Sequence, residues 1–187
     1  MNNIIRAKCL VLGDSAVGKT ALVQSFMSDN NQFSKNYNMT MGLDIVTKLI
    51  RVPDTQASVE LYLFDCSGKE FYRSLVRKMS SQPSLLLLVY DVTSESSFNL
   101  LNDFYELAKA ESQGETVKGV LFANKTDLPA RRVVSPKMGR DVAQRLGLLY
   151  FEGSAKEQEG IEEPFFFLVN EWFKTYTDKT QALKVVT

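Results

Sequence analysis

The sequence predicts an α/β fold built on a six-stranded, mostly parallel sheet with one antiparallel strand and about five helices. Three observations predict it. Short apolar runs alternate with helically spaced segments from Ala7 to Tyr176, the pattern of a layered fold whose helices cover a parallel sheet. Leu85–Tyr90 is apolar throughout, which suits a strand buried on both faces. Two β-rich runs, Leu43–Val52 and Ser58–Phe64, flank Pro53-Asp54-Thr55; this turn signal predicts a hairpin and supplies the antiparallel strand.

The elements follow in order. Asn2–Arg6 reads as a short leader, and Ala7–Leu12 as the first strand. A helix runs from the glycine-rich loop that follows to about Met27. Ser28–Met41 is polar and reads as a long loop, a kind of segment that is often functional. After the hairpin and the Leu85–Tyr90 strand, Phe98–Ala110 has helical periodicity and Gly119–Ala123 is a short buried strand. Pro136–Leu146 reads as a helix, Leu148–Phe151 as the last strand and Ile161–Tyr176 as a long final helix. The whole chain, 1–187, reads as one domain, with 177–187 expected to form a flexible tail.

Gly13-Asp14-Ser15-Ala16-Val17-Gly18-Lys19-Thr20 fits G-x-x-x-x-G-K-[ST] and stands between a strand and a helix, the context that marks a P-loop. Its successive N–H groups can form an anion nest, and the helix that follows presents its positive end. Lys19 adds charge for β- and γ-phosphates, and the Thr20 hydroxyl suits Mg²⁺. Ala16 is tolerable if its φ is negative. Asp65-Cys66-Ser67-Gly68 ends the third strand. The Asp65 carboxylate can hold Mg²⁺ through a water, and Gly68 lets its N–H approach a γ-phosphate. Thr40 is a candidate second hydroxyl for the metal, or simply a loop threonine before a strand.

Asn124-Lys125-Thr126-Asp127 follows a buried strand. A carboxylate at Asp127 can accept from the N1–H and N2–H₂ edge of guanine, a donor pair that adenine lacks; sites built on such bonds discriminate strongly. Asn124 can tie loops together, and the Lys125 stem can lie along the base. Ser154-Ala155-Lys156 follows the last strand, and its N–H groups can meet the guanine O6.

Composition excludes several alternatives. Lys plus Arg equals Asp plus Glu, 22 against 22, so no nucleic acid polymer is expected to be held by bulk charge. There is no histidine, hence no histidine-based acid–base chemistry. The two cysteines, Cys9 and Cys66, lack metal-site spacing and read as free thiols in a reducing compartment. Neither a signal peptide nor a bilayer-spanning run is present, so a cytoplasmic protein is expected.

With these motifs in this order, the chain resembles the Ras-superfamily small GTPases, nearest the Rab branch, from about Ala7 to Tyr176. Val89-Tyr90-Asp91-Val92-Thr93 with Ser97-Phe98 is also Rab-like. The resemblance implies the three-layer P-loop small-GTPase fold, GTP or GDP as ligand and Mg²⁺. It also implies that Phe33 stacks on the base edge, that Tyr37 closes over the phosphates, and that the segments around Thr40 and Gly68 are two switches ordered by the γ-phosphate.

Two departures narrow the resemblance. Lys69 stands where the family has the glutamine that orients the attacking water; lysine offers donors only, so no catalytic residue is assigned and hydrolysis is expected to be slow. The alternative is a solvated Lys69 with another group positioning the water. Gln181–Thr187 has no cysteine, so no direct lipid anchor is expected. Val52–Thr55, Ser58–Leu61, Phe64-Asp65, Gly68-Lys69-Glu70 and Asn124–Leu128 are similar to the Rab-like GTPases of intraflagellar transport complex B. That similarity implies a location at the cilium or flagellum and its base, a role in protein transport, and a small jelly-roll subunit among the partners.

In the final helix, Ile161, Phe165, Leu168, Trp172 and Tyr176 share one face, expected to be core, with Val169 at its flank. Phe166 and Phe173 form a second stripe, either a widened core face or an exposed patch that docks another subunit. Phe71, Tyr72, Leu75, Val76 and Met79 are candidate apolar contacts after Gly68. The readings that emerge are a slow GTP-binding switch or assembly subunit, an efficient vesicle-traffic GTPase, which Lys69 and the tail oppose, and a P-loop ATPase or kinase, which Asn124–Asp127 opposes.

Overall fold

A computed structural model of the chain describes residues 3–28, 40–69, 84–112 and 117–186. Phe33, Tyr37, Phe71, Tyr72, Leu75, Val76 and Met79 lie outside them. The strands are β1 (Asn3–Leu12), β2 (Leu43–Arg51), β3 (Ala57–Cys66), β4 (Leu85–Asp91), β5 (Lys118–Asn124) and β6 (Leu149–Glu152). The helices among the described residues are α1 (Lys19–Met27), α2 (Glu95–Asn99), α3 (Leu101–Glu111), α4 (Pro136–Leu146) and α5 (Glu162–Val186), with a 3₁₀ turn at Pro129–Arg131.

The sheet runs β2-β3-β1-β4-β5-β6. Within this sheet of described residues β2 and β3 pair antiparallel, and the other four pairings are parallel. Alternation along the strands divides the core into two layers. On one face Cys9, Val11, Leu85, Leu87, Val89 and Phe122 meet Leu22, Val23 and Phe26 of α1 and Phe165, Leu168 and Val169 of α5. On the other, Leu10, Leu12, Leu86, Leu88, Tyr90 and Leu121 meet α3 and α4 through Phe104, Leu107, Val142 and Ala143. This is the three-layer arrangement expected, and β4, buried along its whole length, is its centre.

Several boundaries differ from expectation for identifiable reasons. β1 begins at Asn3, because the leader pairs in parallel with β3 from Asn3↔Ala57 onward. The expected Phe98–Ala110 helix starts earlier, at Glu95, where the Ser94 side chain accepts from Ser97 N–H and caps α2; Leu100 separates it from α3. α5 continues past Tyr176 to Val186, through the residues expected as a tail. Tyr176, expected on the core face, is 38% exposed and stacks on the half-buried Trp172 with ring centroids 5.3 Å apart. The core has already run out at that height: Ile161, Phe165, Leu168 and Val169 are buried. Among the described residues no helix is long and apolar enough to cross a membrane.

Candidate functional site

Sheet order places the site. β1 lies between β3 and β4, and the chain crosses to opposite sides of it. Such a reversal leaves a crevice at the carboxyl ends of the strands. The Gly13–Thr20 loop leaves β1 there, Asp65 lies near the end of β3, Asp91 ends β4 and Asn124 ends β5.

The loop keeps its shape through two glycines. A Cβ at Gly13 (φ +147°) would collide with the Val89 carbonyl, and one at Gly18 (φ +98°) with the Asn124 amide. Gly18 opens α1 in the left-handed conformation, without a side-chain cap or an acidic residue in the first turn. The positive helix end therefore faces the loop without a countercharge of its own. The buried Lys19 ammonium donates to Gly13 O at 3.0 Å and Asp14 O at 2.7 Å. Burial pushes its pKa down, while the nearby Asp65 carboxylate opposes that shift. Ala16 has φ +61°, so the negative φ on which its tolerance was conditioned is not what this loop adopts.

Thr20, Thr40 and Asp65 converge. The two hydroxyls lie 2.8 Å apart, and each donates to Asp65 Oδ2, at 2.5 Å from Thr20 and 3.3 Å from Thr40. Asp65 Oδ1 is buried and has no hydrogen-bond partner among the described residues. Burial raises the Asp65 pKa, and the Thr20 bond and Lys19 oppose this only in part. An orphaned carboxylate oxygen beside two hydroxyls is a donor set that suits a hard divalent cation such as Mg²⁺. Gly68 completes this side: a Cβ there would run into the Asp14–Ser15 backbone. Ser67 N–H donates to Gly42 O at 2.9 Å, joining the segments that carry Gly68 and Thr40. Lys69, next in the chain, is exposed.

The second half of the site is tied to the first by Asn124. Its Nδ2 donates to Val17 O at 2.8 Å, and its Oδ1 accepts from Ala155 N–H at 3.1 Å. The Ala155 N–H, expected to meet a base oxygen, is thus engaged within the protein. Lys125, at φ +69°, reaches Ala16 O at 2.8 Å. Asp127 Oδ1 accepts from Ser154 Oγ at 2.7 Å, and Lys156 Nζ lies 3.5 Å from Oδ2. The structure thus brings together Gly13–Thr20, Thr40, Asp65, Gly68, Asn124, Lys125, Asp127, Ser154, Ala155 and Lys156.

Sequence reasoning assigned no role to Asp91. It is 7% exposed, and its Oδ2 lies 2.6 Å from Lys125 Nζ. Its Oδ1 accepts from Thr93 N–H at 2.8 Å and Thr93 Oγ1 at 2.7 Å. Burial opposes its ionisation, but the Lys125 and Thr93 bonds outweigh burial and hold the carboxyl below its usual range. The available signal was an acidic residue closing an otherwise apolar strand at the carboxyl edge of the sheet.

On α5, the aromatic stripe divides. Phe165 is fully buried and stacks on Phe26 with centroids 3.9 Å apart. Phe166 is 41% exposed and touches Phe26 only edge-on. Phe173 is half-buried against the core.

Fold and site together define an α/β protein of the P-loop class, with a second loop cluster tied to the phosphate loop through Asn124 and Lys125. The Ras family matches residues 8–174, and the chain belongs to that family, whose members bind GTP and GDP. The chain is 44% identical to the human intraflagellar transport protein 27 homolog over 97% of its own length and 98% of that protein. It is 34% identical to intraflagellar transport protein 27 of Chlamydomonas reinhardtii, over 96% of this chain and 90% of that one. The Ras-related protein Rab-3 of Caenorhabditis elegans is 36% identical over 87% of this chain and 72% of its own.

Proposed function

We propose that this chain is a slow GTP-binding switch or assembly subunit of the intraflagellar transport machinery. The loop Asp14–Thr20 would cradle the phosphates with its N–H groups and Lys19. Thr20 and Thr40 would ligate Mg²⁺ directly and Asp65 through a water. Bound there, the ion would supply neutralisation of the phosphate charge that develops on transfer. Asp127 would select guanine, with Asn124 and Ser154–Lys156 holding its loop, while Phe33 and Tyr37 would close over base and phosphates. The observation that carries slowness is Lys69 beside Gly68. A lysine donates but accepts no proton, so it leaves an attacking water unoriented.

The similarity to intraflagellar transport proteins 27 supports placement in intraflagellar transport, hence at the cilium or flagellum; the cytoplasm at its base is part of the same proposal. Membership in complex B, with a small jelly-roll subunit as neighbour, is part of the same reading. The exposed Phe166, with Phe173 at its margin, is the surface offered to that subunit.

The test is the nucleotide carried by the purified protein, with single-turnover hydrolysis of wild type and Lys69→Gln. GDP or GTP should be recovered, EDTA should speed its release, and the substitution should accelerate hydrolysis by about tenfold or more. Recovered ATP would overturn the guanine assignment. Rapid hydrolysis by wild type, unchanged in Lys69→Gln, would favour a vesicle-traffic GTPase and remove the slow-switch reading.

A further inference from the structure

Lys125 is fixed at both ends. Its backbone belongs to the loop after β5, and its ammonium lies against the phosphate loop at Ala16 O, 2.8 Å away. The four-carbon stem therefore spans the interval between the two halves of the site. A carbonyl alone is a weak tether for a long side chain, whose fixation costs up to about 2 kcal/mol of rotamer entropy. The second tether is ionic: Asp91 Oδ2 at 2.6 Å. Asp91 is itself held, because its other oxygen accepts both the N–H and the hydroxyl of Thr93. The β4 backbone beneath is equally fixed, with Asp91 N–H donating to the buried Ser97 Oγ at 3.1 Å.

We propose that Asp91 is a positioning residue for the bound guanine nucleotide, acting through Lys125 to hold that stem extended across the site before the ligand arrives. The inference rests on the guanine-nucleotide reading above. The two oxygens of Asp91 divide the work: Oδ1 secures the β4–α2 turn through Thr93, and Oδ2 places Lys125. Preorganisation of this kind lengthens the life of a complex without adding a contact to the ligand.

The division makes the proposal separable from simple support of the turn. Dissociation of a fluorescent GDP is measured for wild type, Asp91→Asn, Thr93→Val, Lys125→Met and the Asp91→Asn/Lys125→Met pair. Loss of one charge-assisted bond corresponds to about a tenfold faster release. Asp91→Asn should therefore release GDP about tenfold faster, Thr93→Val should stay within about twofold of wild type, and Asp91→Asn should add nothing once Lys125 is methionine. Equal acceleration by Asp91→Asn in both backgrounds, or by Thr93→Val, would assign Asp91 to the turn and overturn the proposal. Unchanged release from Asp91→Asn while wild type holds GDP would overturn it alone, whereas wild type that binds no guanine nucleotide would overturn the reading beneath it as well. If both Asp91→Asn and Asp91→Ser fail to fold, the residue is structural and the proposal falls.

Discussion

Removing the Asn124 side chain should damage the protein even when no nucleotide is bound. The residue is 2% exposed and joins the loop that carries Val17 to the loop that carries Ala155. Asn124→Ala deletes the bonds to Val17 O (2.8 Å) and from Ala155 N–H (3.1 Å). Val17 and Ala155 are themselves 1% and 2% exposed, so each loses its partner in a dry place. An orphaned buried group costs about 1–3 kcal/mol. Two such groups, with water entering the vacated space to relieve part of the loss, give about 2–4 kcal/mol. For a domain of this size that is a fall in Tm of about 4–16 °C.

The assay is thermal and urea denaturation of nucleotide-free protein, wild type against Asn124→Ala, repeated with saturating GDP. The nucleotide-free midpoint should fall by the amount above. The difference should widen with GDP, because weakened binding forfeits part of the ligand's own stabilisation. A nucleotide-free midpoint within about 1 °C of wild type would refute the reasoning: Asn124 would then serve the ligand alone and would not join the loops.

Two further substitutions test single features. Ala16 holds φ +61° in an exposed loop, where an L-residue costs about 1–2 kcal/mol and glycine's extra unfolded-state entropy returns about 0.5–1 kcal/mol of that. Ala16→Gly should therefore stabilise by about 0.5–1 kcal/mol in urea melts, and a destabilisation would show that the angle carries no strain. Phe165→Ala should cost about 3–5 kcal/mol, since its ring is fully buried on Phe26. Phe166→Asp, one position along, should cost under about 1 kcal/mol yet abolish co-purification with the proposed partner subunit; retained co-purification would move the proposed docking surface elsewhere.

Much of this was legible in the sequence, and what was missed follows a rule. β4 was readable because both its faces are buried, so each residue carries the apolar signal. The start of β1 was not: Asn3, Ile4 and Arg6 are exposed, and that part of the strand pairs with β3 alone, β4 joining only from Cys9. A half-covered strand of mixed residues looks like a leader. α2 was missed for a local reason, since its start is written in the Ser94 cap and not in apolar spacing. Tyr176 was assigned to the core by periodicity, which reports angular position on a helix but not where the opposing layer ends.

The site divides along the same line. Residues that would touch a ligand belong to contiguous motifs, and motif order located them. Residues that hold those residues belong to other strands. Asp91 is far from Lys125 in sequence, and only the β4–β5 register, which sets Asp91 beside Asn124, brings the two together. The angle at Ala16 was also beyond reach, because an alanine carries no sequence signal for a positive φ.

In the proposed reading, holding a nucleotide and cleaving it would draw on separate parts of this molecule. Retention would be spread over many fixed groups: Lys19 on two carbonyls, Asn124 between two loops, and Lys125 between Ala16 and Asp91. Orientation of an attacking water would fall to whatever accepts its proton near Gly68. Asp65 is buried and in that reading is committed to the metal. Lys69 supplies donors only. Under the proposed reading, then, the retention contacts set how long the bound state lasts, and substitutions in them should shorten it far more than any change in hydrolysis. On the same reading the Asp91–Lys125 pair would act on the lifetime of the bound state and not on cleavage.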